Sequence, residues 1–582
     1  MKIARFFGVS LIAAVALFAA ACTTEPEPTQ PPAPEPTATQ VPTVVSTPPP
    51  TRAERPTPSS GQPKVAPELL QTPESSGDEE RSGGIFRRLW SDPPTLDPAL
   101  VTDGTSYGIV IELFSGLVKL TGESDEPIVA DLAESYTVSN GGKTYKFILR
   151  EDLKFSDGSP VTASDFKWSW ERAANPDTES PIVDEFLGDI VGVQAIIDGD
   201  ATTADGIEVI DDHTLQVTID APKPYFIAKL TYPIAFVVNA DNVTSGGENW
   251  TDSPVATGPF ILKSYSIGER MILSKNPNYW GDAAHLDEVH LLLAGGSAMA
   301  MYENDEIDIT GIGLADLERV TDPTQEISKD VIEVPPSFST SYIGFNMEEA
   351  PFDDVHFRRA LNFAVDKQLV AEAVFSDLVR PATGVIPPGF VGFNSDLEGL
   401  SFDEEKAKEE LALSKYADPD TRPRIVITLP GTGGSPSLTT EVVADMWRRT
   451  LEVDVEIQQV EWATFLQDLH RNRLQAFSLA WQADYPDPHT FVDVLFRTGS
   501  SINNTNYSNA EVDALLEEAN VEADPVRRIE LYQEAEEIIV EDAAWLPLWW
   551  GVEGKVLVKQ HVEGLMFPPL SVPIYQHVWI DG

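Results

Sequence analysis

The chain is expected to form an α/β protein of two or three domains, on three observations. Residues 83–582 are too many for a single hydrophobic core. The first half of that stretch reads mostly as β, with strand-like runs on either side of turn residues. The second half alternates strand-like and helix-like runs, the pattern of βαβ units and a mainly parallel sheet.

Residues 1–21 are a targeting segment rather than part of the fold. Lys2 and Arg5 make a basic start, and an apolar run from Phe6 to Ala21 follows, broken only by Gly8 and Ser10. The run is short of the roughly 20 apolar residues that span a bilayer and matches a secretory signal. Cys22, the only cysteine, comes directly after Ala19-Ala20-Ala21. A lone Cys there resembles a bacterial lipoprotein processing site, at which the new N-terminal Cys carries lipid. Ala19 stands where such sites usually have Leu, and the three alanines also suit ordinary signal cleavage. With no second Cys, the mature chain has no internal disulfide and depends on packing.

Residues 22–82 are expected to be this Cys plus a spacer. Fifteen of the 60 residues 23–82 are Pro, and Thr, Glu and Ser supply most of the rest. Such a composition buries no core and favours extended polyproline geometry. It suits a domain held away from a membrane, or a disordered pro-segment.

The formal net charge of −53 argues against nucleic acid and anionic lipid headgroups as partners. It reads first as a solvated acidic surface, and it also draws cationic solutes by steering.

Along the folded part, Tyr136 to Val138 and Tyr145 to Leu149 flank Asn140-Gly141-Gly142-Lys143, a hairpin signal. Thr162 caps an expected helix from Ala163 to Ala174, with Asp165 completing a capping box and Pro176 beyond its end. A second hairpin is expected over Ile207 to Ile210 and Thr214 to Ile219. Arg424 to Leu429 is a strand, Leu438 to Leu451 a helix, and Val453, Val455 and Ile457 alternate as a strand. Trp462 to His470 is helical, and Gln475 to Trp481 is again a strand. Helices are expected over Thr490 to Phe496, Asn509 to Ala519 and Pro525 to Glu541. An aromatic run, Trp545 to Trp550, and a strand-like Lys555 to Lys559 follow, a tail expected to return to the first domain and close it.

The most informative stretch is Trp481-Gln482-Ala483-Asp484-Tyr485-Pro486-Asp487-Pro488. It lies just past a strand, and ligands of open α/β sheets bind outside the carboxyl ends of strands. A carboxylate between Trp481 and Tyr485 is well placed to hold a cationic ligand group. Asp487, ahead of Pro488 and a helix, reads as an N-cap instead. Trp549 and Trp550 read as core. His285 and His290 lack any standard metal spacing. No Walker, HExxH or GxSxG pattern occurs, so no catalytic residue, metal or cofactor is expected.

An ordered set of segments resembles bacterial extracellular solute-binding proteins of family 5, the oligopeptide and dipeptide receptors of ABC importers. It runs through Thr95-Leu96-Asp97-Pro98, Leu113 to Leu117, Leu153 to Phe166, Thr257-Gly258-Pro259-Phe260, Asn276 to Trp280, Phe357 to Leu361, Asp366-Lys367 and the Asp484 loop. The resemblance implies a two-lobed, periplasmic-binding-protein-like fold (type II, cluster C) with an extra subdomain in the first lobe. Lobe I would be 83–340 with 547–582, its inserted subdomain about 118–250, and lobe II 341–546. Hinge crossings would fall near Tyr342 to Asn346 and Pro547 to Trp549.

In such receptors the peptide lies between the lobes and pairs with protein strands like an added strand. The matching contact residues are Thr102 and Gly104 from the first lobe and Ala480 and Gln482 from the second. Asp484 matches the carboxylate that holds the peptide amine. Trp462 and Trp481 match pocket aromatics, and Tyr485 is counted with them. Ser478 stands where some relatives place a basic group for the peptide carboxylate, and a His expected after Leu429 is missing; Arg380 is a candidate substitute.

The resemblance therefore implies a non-enzymatic, monomeric, extracytoplasmic receptor, lipid-anchored at Cys22, for a peptide or related solute, with ABC permease subunits as partners. Readings left open are a sugar, metal complex or cationic metabolite on the same fold, a secreted hydrolase, and a surface adhesin or scaffold.

Overall fold

A computed structural model describes residues 83–121, 127–376, 378–431 and 437–581. Residues 1–82, with Cys22 and the Pro-rich stretch, lie outside the described residues, as does most of the loop after Pro430.

Two large sheets organise the chain. The first has seven strands in the order Val331–Val334, Gly554–Val558, Ile309–Gly311, Ile85–Leu89, Glu288–Leu292, Arg270–Lys275 and Phe260–Ser266. The second has six, in the order Val379–Pro381, Trp545–Gly551, Ser339–Phe345, Ala476–Gln482, Ile425–Pro430 and Val455–Val460. Each sheet is the centre of one lobe.

Between the early strands of the first lobe lies a four-stranded antiparallel sheet, ordered Ala133–Ser139, Thr144–Leu149, Thr214–Thr218, Ile207–Asp211. Both expected hairpins are here, in register Val138↔Tyr145 and Val209↔Leu215. The first turn takes φ of 52°, 65° and 94° at Asn140, Gly141 and Gly142, a left-handed run that Asn and Gly tolerate best. The helix Ala163–Ala174 starts where its cap predicts. The Asp165 carboxylate accepts the Thr162 backbone N–H at 2.7 Å and its hydroxyl at 2.9 Å. Its Phe166 and Trp170 are fully buried, and Trp170 Nε1 donates to the Ala235 carbonyl at 2.9 Å.

The second lobe keeps the expected alternation: helices Leu438–Leu451, Trp462–His470, His489–Phe496, Ala510–Val521 and Pro525–Glu541 fall close to where periodicity puts them. Trp447 anchors this core, its indole donating to the Leu361 carbonyl at 2.9 Å. The sheet is mixed rather than mainly parallel. Only the pairs of Ile425–Pro430 with Val455–Val460 and with Ala476–Gln482 are parallel. Ser339–Phe345 inserts antiparallel beside Ala476–Gln482, and Trp545–Gly551 antiparallel beside that.

The aromatic run Trp545–Gly551 therefore stays in the second sheet, and Gly554–Val558 is the strand that enters the first. Pro547, which has no N–H for the ladder, sits where the register shifts at Ser341/Tyr342. Tyr342 to Phe345 lie inside a strand of the second sheet. The chain passes from sheet to sheet at 335–338 and at 552–553 instead. No helix among the described residues is long and apolar enough to cross a membrane.

Candidate functional site

Three strands of the second sheet, Ile425–Pro430, Val455–Val460 and Ala476–Gln482, run parallel and end on one edge. Helix Trp462–His470 starts just beyond one of these ends, its first N–H groups at Ala463 and Thr464 received by Glu461 at 3.0 and 3.1 Å. The Asp484 loop starts just beyond another. Trp462 and Trp481–Asp484 are thereby brought side by side although far apart in the chain.

Facing them from the first lobe is helix Gly104–Leu113, whose N-cap Asp103 accepts from Thr105 N–H at 2.9 Å and Ser106 N–H at 3.1 Å. Between the two lies a cavity of about 300 Å³. Thr102, Gly104, Trp462, Ala480, Trp481, Gln482 and Asp484 all line it. Gly104, Ala480 and Gln482 are exposed there, and a side chain at Gly104 would meet nothing within 4 Å.

Tyr485 is placed elsewhere. It is fully buried, and its hydroxyl lies 2.8 Å from His489 Nδ1, beneath the loop rather than on the cavity. Arg380 and Ser478 are also absent from the lining; Arg380 lies over the Trp550 ring at 5.8 Å. Trp550 is buried, its indole donating to Thr340 Oγ1 at 2.9 Å. Asp487 receives the His489 N–H at 3.0 Å and also pairs with both Arg528 nitrogens, at 2.7 and 2.6 Å.

The site holds a second carboxylate that sequence reasoning missed. Asp103 is 7% exposed; its Oδ1 also receives the Trp462 indole N–H across the cavity at 3.3 Å, and its buried Oδ2 has no partner. A capping Asp ahead of an apolar helix, between two flagged neighbours, was the available signal. Tyr107, Phe186, Tyr232 and His470 also line it, and among the described residues no Lys or Arg does.

The electrostatics follow. Burial raises the Asp484 carboxyl from 3.8 to about 8, and the charge of Glu185 adds to this against a hydrogen bond from Thr490. Burial pushes the Tyr107 hydroxyl up to about 12, with Asp484 contributing. Burial lowers His470, so it offers no cation despite the pull of Asp103. A cavity with two carboxylates and no fixed cation suits a ligand group that brings a positive charge and several N–H donors.

Beneath the cavity the lobes meet through buried charge. Glu185, on the short helix Val183–Leu187, lies 3.3 Å from Lys229 Nζ and 3.3 Å from the Arg497 guanidinium of the second lobe. Arg497 Nε donates to Asp493 at 2.8 Å, and Lys229 donates to Asp189 at 3.0 Å. Lys223 pairs with Asp189 as well. Glu185, His489 and Asp493 bring ligand atoms within 4.8 Å of one another. Their carboxylates are already matched by Lys229 and Arg497, which oppose a further cation. Burial, then Lys229, Arg528 and Arg497, hold His489 well below its ordinary value and neutral.

A model described as bacterial extracellular solute-binding proteins, family 5 Middle, matches residues 127–503. The probable deoxycholate-binding periplasmic protein YgiS of Escherichia coli is 33% identical over 498 residues, 83% of this chain and 90% of that one. The periplasmic oligopeptide-binding protein OppA of the same organism is 31% identical, covering 82% and 89%. The structure of the Escherichia coli murein tripeptide binding protein MppA superposes with a TM-score of 0.78 at 29% identity, covering 86% of this chain and 99% of that one. Its unliganded open form superposes at 0.60 with the same identity and 86% of this chain covered. In this chain the lobes touch through Trp462 and Asp103 at 3.3 Å and through Arg497 and Glu185 at 3.3 Å.

Proposed function

The chain belongs to the bacterial extracellular solute-binding proteins, family 5, and from that premise we propose that it is the extracytoplasmic receptor of an ABC importer, closing two lobes over an oligopeptide and delivering it to the permease without chemistry on it. The observation that carries the peptide reading is an open strand edge. Ala476–Gln482 pairs along its whole length with Ser339–Phe345 on one side. On the other it pairs with Ile425–Pro430 only at Ala476 and Phe477. Among the described residues nothing pairs with 478–482 there, and Leu479 to Gln482 line the cavity. Unpaired backbone groups beside a cavity are the template for strand addition.

Asp484 is the proposed amine anchor, with Asp103 near it on the opposite lobe. Trp462 and Trp481 supply flat apolar walls, and Thr102, Gly104, Ala480 and Gln482 supply backbone contacts. The segments 335–338 and 552–553 are the proposed hinge. Two acids without Lys or Arg in the wall disfavour an anionic solute such as a bile acid, even though one relative carries a deoxycholate name. They leave a small cationic metabolite as the second reading. The relatives named periplasmic support a place outside the cytoplasm; lipidation of Cys22, with 23–82 as spacer, is the proposed attachment. The protein is proposed to work as a monomer.

Strand addition is tested by calorimetric titration of alanine peptides carrying one backbone N-methyl group at a time. Each methyl that meets the 478–482 edge is expected to cost about 0.5–1.5 kcal/mol, the net worth of one hydrogen bond. Affinity indifferent to every N-methyl position would sink the strand-addition mode. Trp462→Phe keeps an aromatic ring against Phe465, now 5.7 Å away and near-parallel, but removes the donor to Asp103. Hydrogen bonds to charged groups are worth about 1.5–3 kcal/mol, and this one is long, so a loss of about tenfold in peptide affinity is expected by the same titration.

A further inference from the structure

The Asp484 loop closes on one threonine. Thr490 lies in the first turn of helix His489–Phe496 and is fully buried. It does not line the cavity, yet all its polar groups turn to the loop that does. Its backbone N–H donates to the Asp487 carbonyl at 3.1 Å. Its hydroxyl receives the Asp484 backbone N–H at 3.2 Å and donates to Asp484 Oδ2 at 3.5 Å, a long contact. Its carbonyl receives the Trp481 indole N–H at 3.0 Å.

The frame behind it is held as well. Asp487 is tied to both Arg528 nitrogens on helix Pro525–Glu541 and to the His489 N–H. Threonine is stiff at χ1, so the hydroxyl has one place to be. With a backbone N–H as its donor, its own proton is left for the carboxylate. That contact takes Oδ2. Among the described residues no donor reaches Oδ1, which is left to the ligand. The contact also acts on charge, because a donor favours the ionised form. Burial raises the Asp484 carboxyl, the Thr490 hydroxyl draws it back down and Glu185 raises it again. The other titratable groups facing Asp484 are Tyr107 on helix Gly104–Leu113, Tyr232 ahead of the short turn Pro233–Ala235 and Tyr485 of its own loop. Burial holds all three hydroxyls above their usual range, so they stay neutral.

We infer that Thr490 is the positioning residue of the amine anchor, its hydroxyl aiming Asp484 Oδ1 at the ligand from a frame shared with Trp481. Anchor and apolar wall then keep a single relative geometry, which reduces the ordering that binding must supply. The inference rests on Asp484 as the amine anchor of a peptide receptor, and adds a residue that acts only through it.

The test is calorimetric titration of the intact protein with alanine peptides of graded length, free and N-acetylated, across a pH series. Thr490→Val removes the hydroxyl at nearly constant volume. The acid limb of its affinity curve for free peptides is expected to fall about tenfold, the lower end for a hydrogen bond to a charged group, and the maximum to move to higher pH. Affinity for the N-acetyl peptides should not change. Thr490→Ala carries the same expectation where Thr490→Val folds poorly, and Thr490→Ser should restore the wild-type curve. Both hydroxyl-free variants leave the Asp484 N–H without its acceptor, a stability loss that thermal unfolding reads separately. In an Asp484→Asn background, adding Thr490→Val should change affinity no further. A wild-type curve in both hydroxyl-free variants overturns the inference. So does a loss equal for free and N-acetyl peptides at every pH, the mark of a merely structural role. Either result leaves the amine-anchor reading standing. A wild type indifferent to N-acetylation, or one that binds no peptide, removes that reading and the inference with it.

Discussion

Asp484→Asn is expected to weaken a peptide with a free amino terminus by about 2–5 kcal/mol, the range for truncating one partner of a buried charge pair, while making the ligand-free protein more stable. Both effects come from one fact. Burial in the closed cavity, with Glu185 nearby, lifts this carboxyl to about 8, so near neutrality the empty site holds it mostly protonated. An arriving ammonium forms its pair only with the carboxylate, and binding therefore releases about one proton. Affinity should climb with pH by up to about tenfold per unit from roughly pH 5 towards roughly pH 8, then fall again as the free amine, with its own pKa near 8, loses its proton. Asn removes that slope.

The stability sign runs the other way. A folded-state pKa raised above 3.8 means the contribution of this group to stability is fully present below about pH 4 and is lost as pH rises through about 8. The melting temperature of Asp484→Asn minus that of the wild type should therefore grow with pH. Calorimetric titration and thermal unfolding across this range check both. Unchanged affinity for an amine-bearing peptide would remove Asp484 from the site.

The second large effect is expected at Lys229→Met. Lys229 is 3% exposed at its side chain and lies between Glu185 and Asp189 at 3.3 and 3.0 Å. Lys223 and Lys229 together hold Asp189 below the usual carboxylate range against its burial. Removing one partner of such a cluster strands the others, at about 3–5 kcal/mol. Opening the lobes would let water reach Glu185, so part of the strain is relieved by opening. Denaturant unfolding should show the lost stability, and small-angle scattering of the ligand-free variant should show a larger radius of gyration than the wild type. Paired neutralisation, Lys229→Met with Glu185→Gln, should recover much of both. A closed variant of full stability would mean that these charges contribute nothing to the lobe contact.

What the sequence made legible was local. Hairpin turns such as Asn140-Gly141-Gly142, the cap at Thr162 and Asp165, and helices such as Pro525–Glu541 announce themselves within a dozen residues. The Asp484 loop was legible because a strand end and a carboxylate are adjacent in the chain. Strand direction was not, because it depends on a partner far away. Ser339–Phe345, more than 100 residues upstream, slots in antiparallel beside Ala476–Gln482, and no pattern within either strand encodes that. Trp545–Gly551 looked like a return to the first lobe because aromatic runs do not reveal which sheet they join. Asp103 was hidden for a similar reason. Its capping role is local, but its second role, receiving Trp462 from the other lobe, spans 359 residues.

The central claim, that this receptor closes over peptides held at Asp484, is tested most directly by native mass spectrometry of the protein purified without denaturation. The account predicts a ladder of co-purified masses that fragment as peptides with free amino termini, and the same preparation of Asp484→Asn should carry far less of them. A single non-peptide mass, retained equally by both proteins, would contradict it.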